Sequence, residues 1–331
     1  MLRKLCVLSS LFLICAPSTL AQDSRHFTFH YSFTVRNLTP GKKIRIWIPA
    51  AQSDSYQEVK VISTHGDLPL RKTTESKYGN QLYYAEAASS AQSELRFDVE
   101  YDVIRRERVT LGETAPHAGA ISLSSTERLE DLQPDALVPV TGLPADLAVK
   151  VTQGKTQPLD KAQAIYDYVF TTMRYDKTGT GWGHGDVLYA CDAKKGNCTD
   201  FHSLFIAMAR SQGIPARFEI GFPLPPDKHS AEIAGYHCWS DFHIDGRGWI
   251  PVDISEAWKH PEKRNYFFGS HDVNRIQFSM GRDLRLSPPQ ESKPLNYFVY
   301  PYVEVDGREF PNVALAFSFS DVGSDLARKT F

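Results

Sequence analysis

Long apolar runs are almost absent from this chain, and so are charge imbalance, low-complexity tracts and internal repeats. The one sustained apolar run, Leu5 to Ala16, covers about a dozen residues, short of the roughly 20 that a membrane-crossing helix needs. Lysine and arginine number 37 against 39 aspartates and glutamates, a formal net charge of −2. No cationic surplus draws a phosphate backbone, so nucleic acid is not an expected partner. Acidic residues nowhere fall at calcium-loop spacing, so no calcium dependence is expected. Cysteine is scarce: there are five, and Cys6 and Cys15 precede the expected start of the mature protein. Cys191, Cys198 and Cys238 are too few for a disulfide scaffold and odd in number, so at least one thiol is unpaired or paired externally.

What is present begins with an export signal. Arg3 and Lys4 precede the apolar run, and small and polar residues follow it to Thr19-Leu20-Ala21, a pattern cut after Ala21. The expected location is periplasmic or secreted, with no membrane attachment after cleavage. A lipid anchor on Cys15 is the rival reading, against which Ile14 stands where lipid-attachment signals want a small residue. With 42% hydrophobic and 12% aromatic residues over 331 positions, the chain can bury a sizeable core and is expected to split into two units rather than one.

Periodicity divides the remainder. Residues 22–110 alternate apolar and polar side chains at period two, as in His26 to Val35, Lys43 to Ile48 and Glu94 to Tyr101, which predicts a small antiparallel β-sandwich. Residues 111–157 hold several prolines and glycines without sustained period and read as a connecting segment. Residues 158–265 form the expected core. Leu159, Ala162, Ile165, Tyr166, Val169 and Met173 share one helical face. The loop Gly179 to Gly185 carries four glycines, and a second helix starts near Cys198. Asn197 suits its N-cap, Asp200 its first turn and Gly213 its end. Arg217 to Phe222, Gly235 to Asp245 and Gly248 to Ile254 read as strands, so the fold class is α+β. Residues 266–331 are expected to form a mostly β extension packed on the core.

Cys198 draws attention because the first turn of a helix concentrates unpaired backbone N–H groups, which lower a thiol's pKa. An inert buried cysteine is the ordinary alternative. A thiolate works best beside an imidazole that holds its proton and later delivers it. His237 and His243 on one strand are the candidates, and Asp253, ending the next strand, can orient the ring. Strand geometry tests this. A four-residue turn at 245–248 turns Asp253 away from His237. A three-residue loop with a bulge at Gly248 pairs Ile244 with Gly248 and brings Asp253 to the same face. The odd loop is therefore predicted.

Trp182 and Tyr189, ahead of the helix, are candidate second oxyanion donors beside the backbone N–H of Cys198. Cys191 and Cys238 form a possible disulfide that leaves Cys198 free. A zinc site is disfavoured: adjacent His237 and Cys238 point to opposite faces of a strand, and no paired C-x-x-C exists. His202 and His243 read as packed or solvated residues. No metal or other cofactor is implied.

The order and spacing of Gly196-Asn197-Cys198-Thr199-Asp200-Phe201, Arg210, Gly213-Ile214-Pro215-Ala216-Arg217-Phe218, Gly221, His237-Cys238-Trp239, Gly248-Trp249 and Asp253 resemble the transglutaminase-like superfamily over roughly residues 155–260. The resemblance implies a papain-like core, a helix carrying the nucleophile packed on an antiparallel sheet. It implies Cys198 as nucleophile, His237 as general base and acid, and Asp253 as orienting carboxylate. The sandwich ahead of the core resembles bacterial members of that domain order. Acyl transfer on amide bonds of a peptide or protein substrate is the implied chemistry, resolved by water or by an amine. A non-catalytic binding module that kept these residues is the alternative class.

Overall fold

The computed structural model describes residues 23–112 and 122–323. The expected signal, 1–21, lies outside them. Two five-stranded sheets, a four-stranded sheet, two two-stranded pairings and a set of helices make an α+β fold.

Strand Ser24–Val35 alternates buried and half-buried positions along its length, and Leu95–Arg106 does the same. They pair antiparallel at the centre of a five-stranded sheet. Ile44–Pro49 and Gln81–Ala87 centre a second sheet of five. This is the expected sandwich, but the N-terminal residues do not complete it. Val313–Asp321 pairs with Ser24–Val35, placing Phe317 opposite Tyr31. Tyr302–Val305 pairs with Ile44–Pro49, placing Val303 opposite Ile46. The 266–331 stretch is thus not one extension on the core: its later strands belong to the sandwich, and Arg275–Met280 is an edge of the core sheet.

That core sheet has four antiparallel strands in the order Gly248–Val252, His237–Ile244, Ala216–Pro223, Arg275–Met280. Helix Cys198–Ser211 packs on one face of it, with the Phe205 and Phe242 rings 5.9 Å apart. The other face meets the sandwich. There Phe29, Tyr31, Phe222, Phe278 and Phe317 interlock, the Phe222 and Phe317 centroids 4.5 Å apart, so both units share one apolar core.

The expected amphipathic stripe on Cys198–Ser211 understates its burial. Every residue from Cys198 to Arg210 is buried, because Pro158–Thr172, Leu143–Val151 and Val187–Ala193 cover the side away from the sheet. Helix Leu143–Val151 falls inside the expected connecting segment. Pro144 sits in its first turn, where the missing N–H has no intrahelical partner to lose.

Ile244 pairs with Gly248 and Ser240 with Val252, leaving three residues in the loop, as the odd-loop expectation requires. Gly248 has φ +81° with open space around the position of a side chain. Gly248→Ala is therefore expected to cost about 1 kcal/mol of purely conformational energy, read as an earlier urea midpoint. An unchanged midpoint would mean that the bulge does not require glycine.

Candidate active site

Asn197 caps the helix that carries Cys198. Its side chain accepts from Thr199 N at 2.9 Å, and the Asp200 carboxylate accepts from Asn197 N at 2.9 Å, closing a capping box. The same Asp200 carboxylate accepts from Gly183 N at 2.7 Å and Gly185 N at 3.0 Å. Asp200 thus ties the glycine loop to the helix start. Any side chain at Gly196 would strike Asp200.

His237 opens its strand and Asp253 follows the end of the next, where it caps helix Ile254–Lys259. The His237 Nε2 to Asp253 Oδ2 distance is 2.7 Å. Arg275 Nη1 donates to the same oxygen at 3.0 Å, while Asp253 Oδ1 accepts from Glu256 N at 3.1 Å and from Ser255 Oγ at 3.2 Å. Burial alone would push the Asp253 carboxyl up. The charge and hydrogen bond of His237, then the charge of Arg275, hold it well below the usual carboxylate range. An ionised carboxylate only accepts, so His237 Nε2 carries its proton toward Asp253 and Nδ1 is left to serve the sulfur.

Burial would likewise raise the Cys198 thiol. Hydrogen bonds to Cys238 and His237 and the His237 charge outweigh it and draw the thiol well below its ordinary range. On His237, burial is overcome by Asp253 and by the bond to Cys198, and the imidazole is pushed up to about 10. Both shifts favour a thiolate beside an imidazolium. The structure joins all three sequence-predicted residues in this chain of contacts. Cys198 is 2% exposed and His237 4%. His237 opens on a cavity of about 420 Å³ walled by Pro225, Ile233, Glu256, His260 and Phe267.

Other expectations are corrected. Cys191, Cys198 and Cys238 are all free thiols. Cys191 lies half-buried on helix Val187–Ala193, whereas Cys238 points at the helix that carries Cys198, with Thr199 Oγ1 at 3.6 Å and His202 Nδ1 at 3.9 Å. Cys238 is a neighbour of Cys198 rather than a partner of Cys191. Burial, then the bond to Cys198, pushes its thiol well up, so it remains an S–H donor. Trp182 donates its indole N–H to Gly179 O at 3.1 Å within its own loop, which removes it as an oxyanion donor in this conformation. The Tyr189 hydroxyl is buried and meets no hydrogen-bond partner among the described residues.

Arg275 and Tyr236 were missed from sequence, and Cys238 and His202 were noted there without the contacts they make. His202 is packed, as expected, but its Nε2 accepts from Ile254 N at 3.0 Å, fixing the residue after Asp253. Burial pushes its ring down to about 4 and keeps it neutral. The Tyr236 hydroxyl lies 2.8 Å from Thr199 Oγ1 and accepts from Asn197 Nδ2 at 3.0 Å, locking the helix start to the histidine strand. The position of Tyr236 beside His237 was the only signal available.

Residues 145–254 match the sequence model of the transglutaminase-like superfamily core. An uncharacterized protein of Haemophilus influenzae is 29% identical over 316 residues, covering 85% of each chain. The uncharacterized protein YebA of Bacillus subtilis is 26% identical over 129 residues, 35% of this chain and 18% of that one. A solved structure from Cytophaga hutchinsonii, described as a candidate cysteine protease, covers 92% of both chains at 14% identity and a TM-score of 0.59. The fold is shared across nearly the whole chain, sandwich included.

Because the Cys238 thiol donates toward a charged sulfur, Cys238→Ala is expected to raise the Cys198 pKa. The pH midpoint of iodoacetamide alkylation should move up by about half to one unit, the worth of one hydrogen bond. An unmoved midpoint would make Cys238 a packing residue only.

Proposed function

We propose, for a chain whose residues 145–254 carry the core of the transglutaminase-like superfamily, that it is a thiol enzyme of acyl transfer on amide bonds. Cys198 is the nucleophile, His237 the acid and base, and Asp253 the orienting carboxylate. The observation that carries this reading is the single hydrogen-bonded line from Asp253 through His237 to Cys198 at a helix start. The Cys198 sulfur attacks the amide carbonyl carbon, forming the C–S bond and moving the carbonyl π pair onto oxygen. The backbone N–H of Cys198, unpaired at the first helical position, supports that oxygen. Collapse breaks the C–N bond, and His237 hands its proton to the departing nitrogen. Water or a second amine then attacks the thioester, His237 takes the proton, and the thiolate leaves. His237 lines a cavity of about 420 Å³, space enough for a side chain beside the ring. Arg3, Lys4 and the apolar run after them support a periplasmic or secreted site of action.

The near-complete burial of Cys198 and His237 favours one other reading, a binding module that retains the triad without turnover. Iodoacetamide labelling separates the two. Fast labelling of Cys198, abolished in Cys198→Ala and slowed at least about tenfold in His237→Ala, is expected of the enzyme. Equal slow labelling of all three proteins would remove the enzyme reading. A thioester adduct on Cys198, sought by mass spectrometry after incubation with peptide and glutamine-amide libraries, then identifies the acyl donor.

The pair also sets a pH profile. The thiol must be ionised and the ring protonated, so kcat/KM should rise well below the ordinary thiol range near about 8.5 and fall as His237 deprotonates near about 10. An acid limb at the ordinary thiol pKa would contradict the ion pair.

A further inference from the structure

Along strand Leu95–Arg106 the inward positions run Leu95, Phe97, Val99, Tyr101, Val103 and then Arg105. An arginine at the end of an apolar series is 2% exposed. Burial pushes its guanidinium down to about 10, which leaves it charged at neutral pH. A buried charge is costly unless a partner answers it. Here the one hydrogen-bond acceptor is neutral, Gln57 Oε1 at 3.3 Å, and Arg105 Nε has no partner. No carboxylate comes within ion-pair distance among the described residues.

The charge of Asp54 acts on Arg105 without reaching ion-pair distance, and the other nearby acids are engaged by other groups. Asp241 receives Arg108 at 2.9 Å and Arg217 at 3.2 Å. Glu219 receives Arg217 at 2.9 Å and the Trp239 indole at 2.7 Å. Asp54 accepts from Gln57 N at 2.8 Å and from Tyr56 N. His271, buried against Trp239, leaves both ring nitrogens without a partner among the described residues, and Arg108 Nε is likewise unmatched there. Arg105, Arg108, Arg217 and the exposed Arg247 line one cavity of about 250 Å³ with Tyr56 and Trp249, four guanidinium groups against the two carboxylates of Asp54 and Glu219. This cavity lies between the sandwich and the face of the core sheet opposite the nucleophile helix. It shares no lining residue with the cavity beside His237.

We propose that this cavity binds a small oxyanion, a carboxylate or phosphate group, between Arg105 and Arg247 with Tyr56 and Trp249 as its aromatic walls. Guanidinium forks match either group through paired N–H donors. Neither Arg105 nor Arg247 has an ion-paired carboxylate among the described residues, and an anion in the cavity supplies that contact. The proposal is independent of the acyl-transfer reading.

Calorimetric titration of the purified full chain with orthophosphate and with succinate tests it, with Trp249 fluorescence as a second readout. At least one anion should bind saturably with a Kd below about 1 mM, and which one binds tells phosphate from carboxylate. Arg105→Gln and Arg247→Ala should each weaken binding at least about tenfold, while Cys198→Ala should bind as the unaltered protein does. Arg247 is exposed, so its variant remains informative if Arg105→Gln fails to fold. Absence of saturable binding of both anions, or unweakened binding in Arg247→Ala, would overturn the proposal.

Discussion

The carboxylate of Asp253 is gripped from four directions: by the His237 ring, by the Arg275 guanidinium, by the Glu256 amide and by the Ser255 hydroxyl. Three of these donors arise from different elements, so the one anion ties the histidine strand, the edge strand Arg275–Met280 and the start of helix Ile254–Lys259 to a common point. A fully buried carboxylate is tolerable only because it is so completely bonded. Its charge raises the imidazole, and the raised imidazole in turn lowers the thiol. The reactivity of a sulfur on one helix is thus set by an anion at the end of a strand.

That chain of influence needs rigid placement, and the fold supplies it by burying polar groups with partners. On helix Cys198–Ser211, Asp200 holds the glycine loop and His202 accepts from Ile254 N. Arg210 reaches the Ala216 carbonyl at 2.8 Å and Asp135 at 2.8 Å. Each bond fixes a neighbouring segment to the helix. The sandwich contributes through the shared aromatic layer, in which Phe317 from the C-terminal strand meets Phe222 of the core sheet. Because the C-terminal strands complete both sandwich sheets, the chain wraps its own core before it ends.

Much of this was legible in the sequence because it is local. Period-two alternation marked Ser24–Val35, a cap residue and a stopping glycine marked Cys198–Ser211, and Gly248 dictated the hairpin register that brings Asp253 to His237. Contacts between distant segments left no such trace. Arg275 meets Asp253 from 22 residues away, and no period foretells a guanidinium on an edge strand. Ser24–Val35 and Ile44–Pro49 each take one of their two partners from more than two hundred residues on, so the final strands read as an appendage. Helix Leu143–Val151 was hidden by Gly142 and Pro144, which punctuate a loop as readily as they begin a helix. Cys238 was misassigned because strand alternation gives the face of a side chain and not what packs there.

The central claim is that Cys198 and His237 share a proton as thiolate and imidazolium at neutral pH. It is tested most directly by the ultraviolet thiolate absorbance of the purified protein, taken as a difference against Cys198→Ser across the pH range. The account predicts a full thiolate signal at neutral pH that disappears only far into acid. A signal that first emerges near about pH 8.5, as for an ordinary thiol, would contradict it.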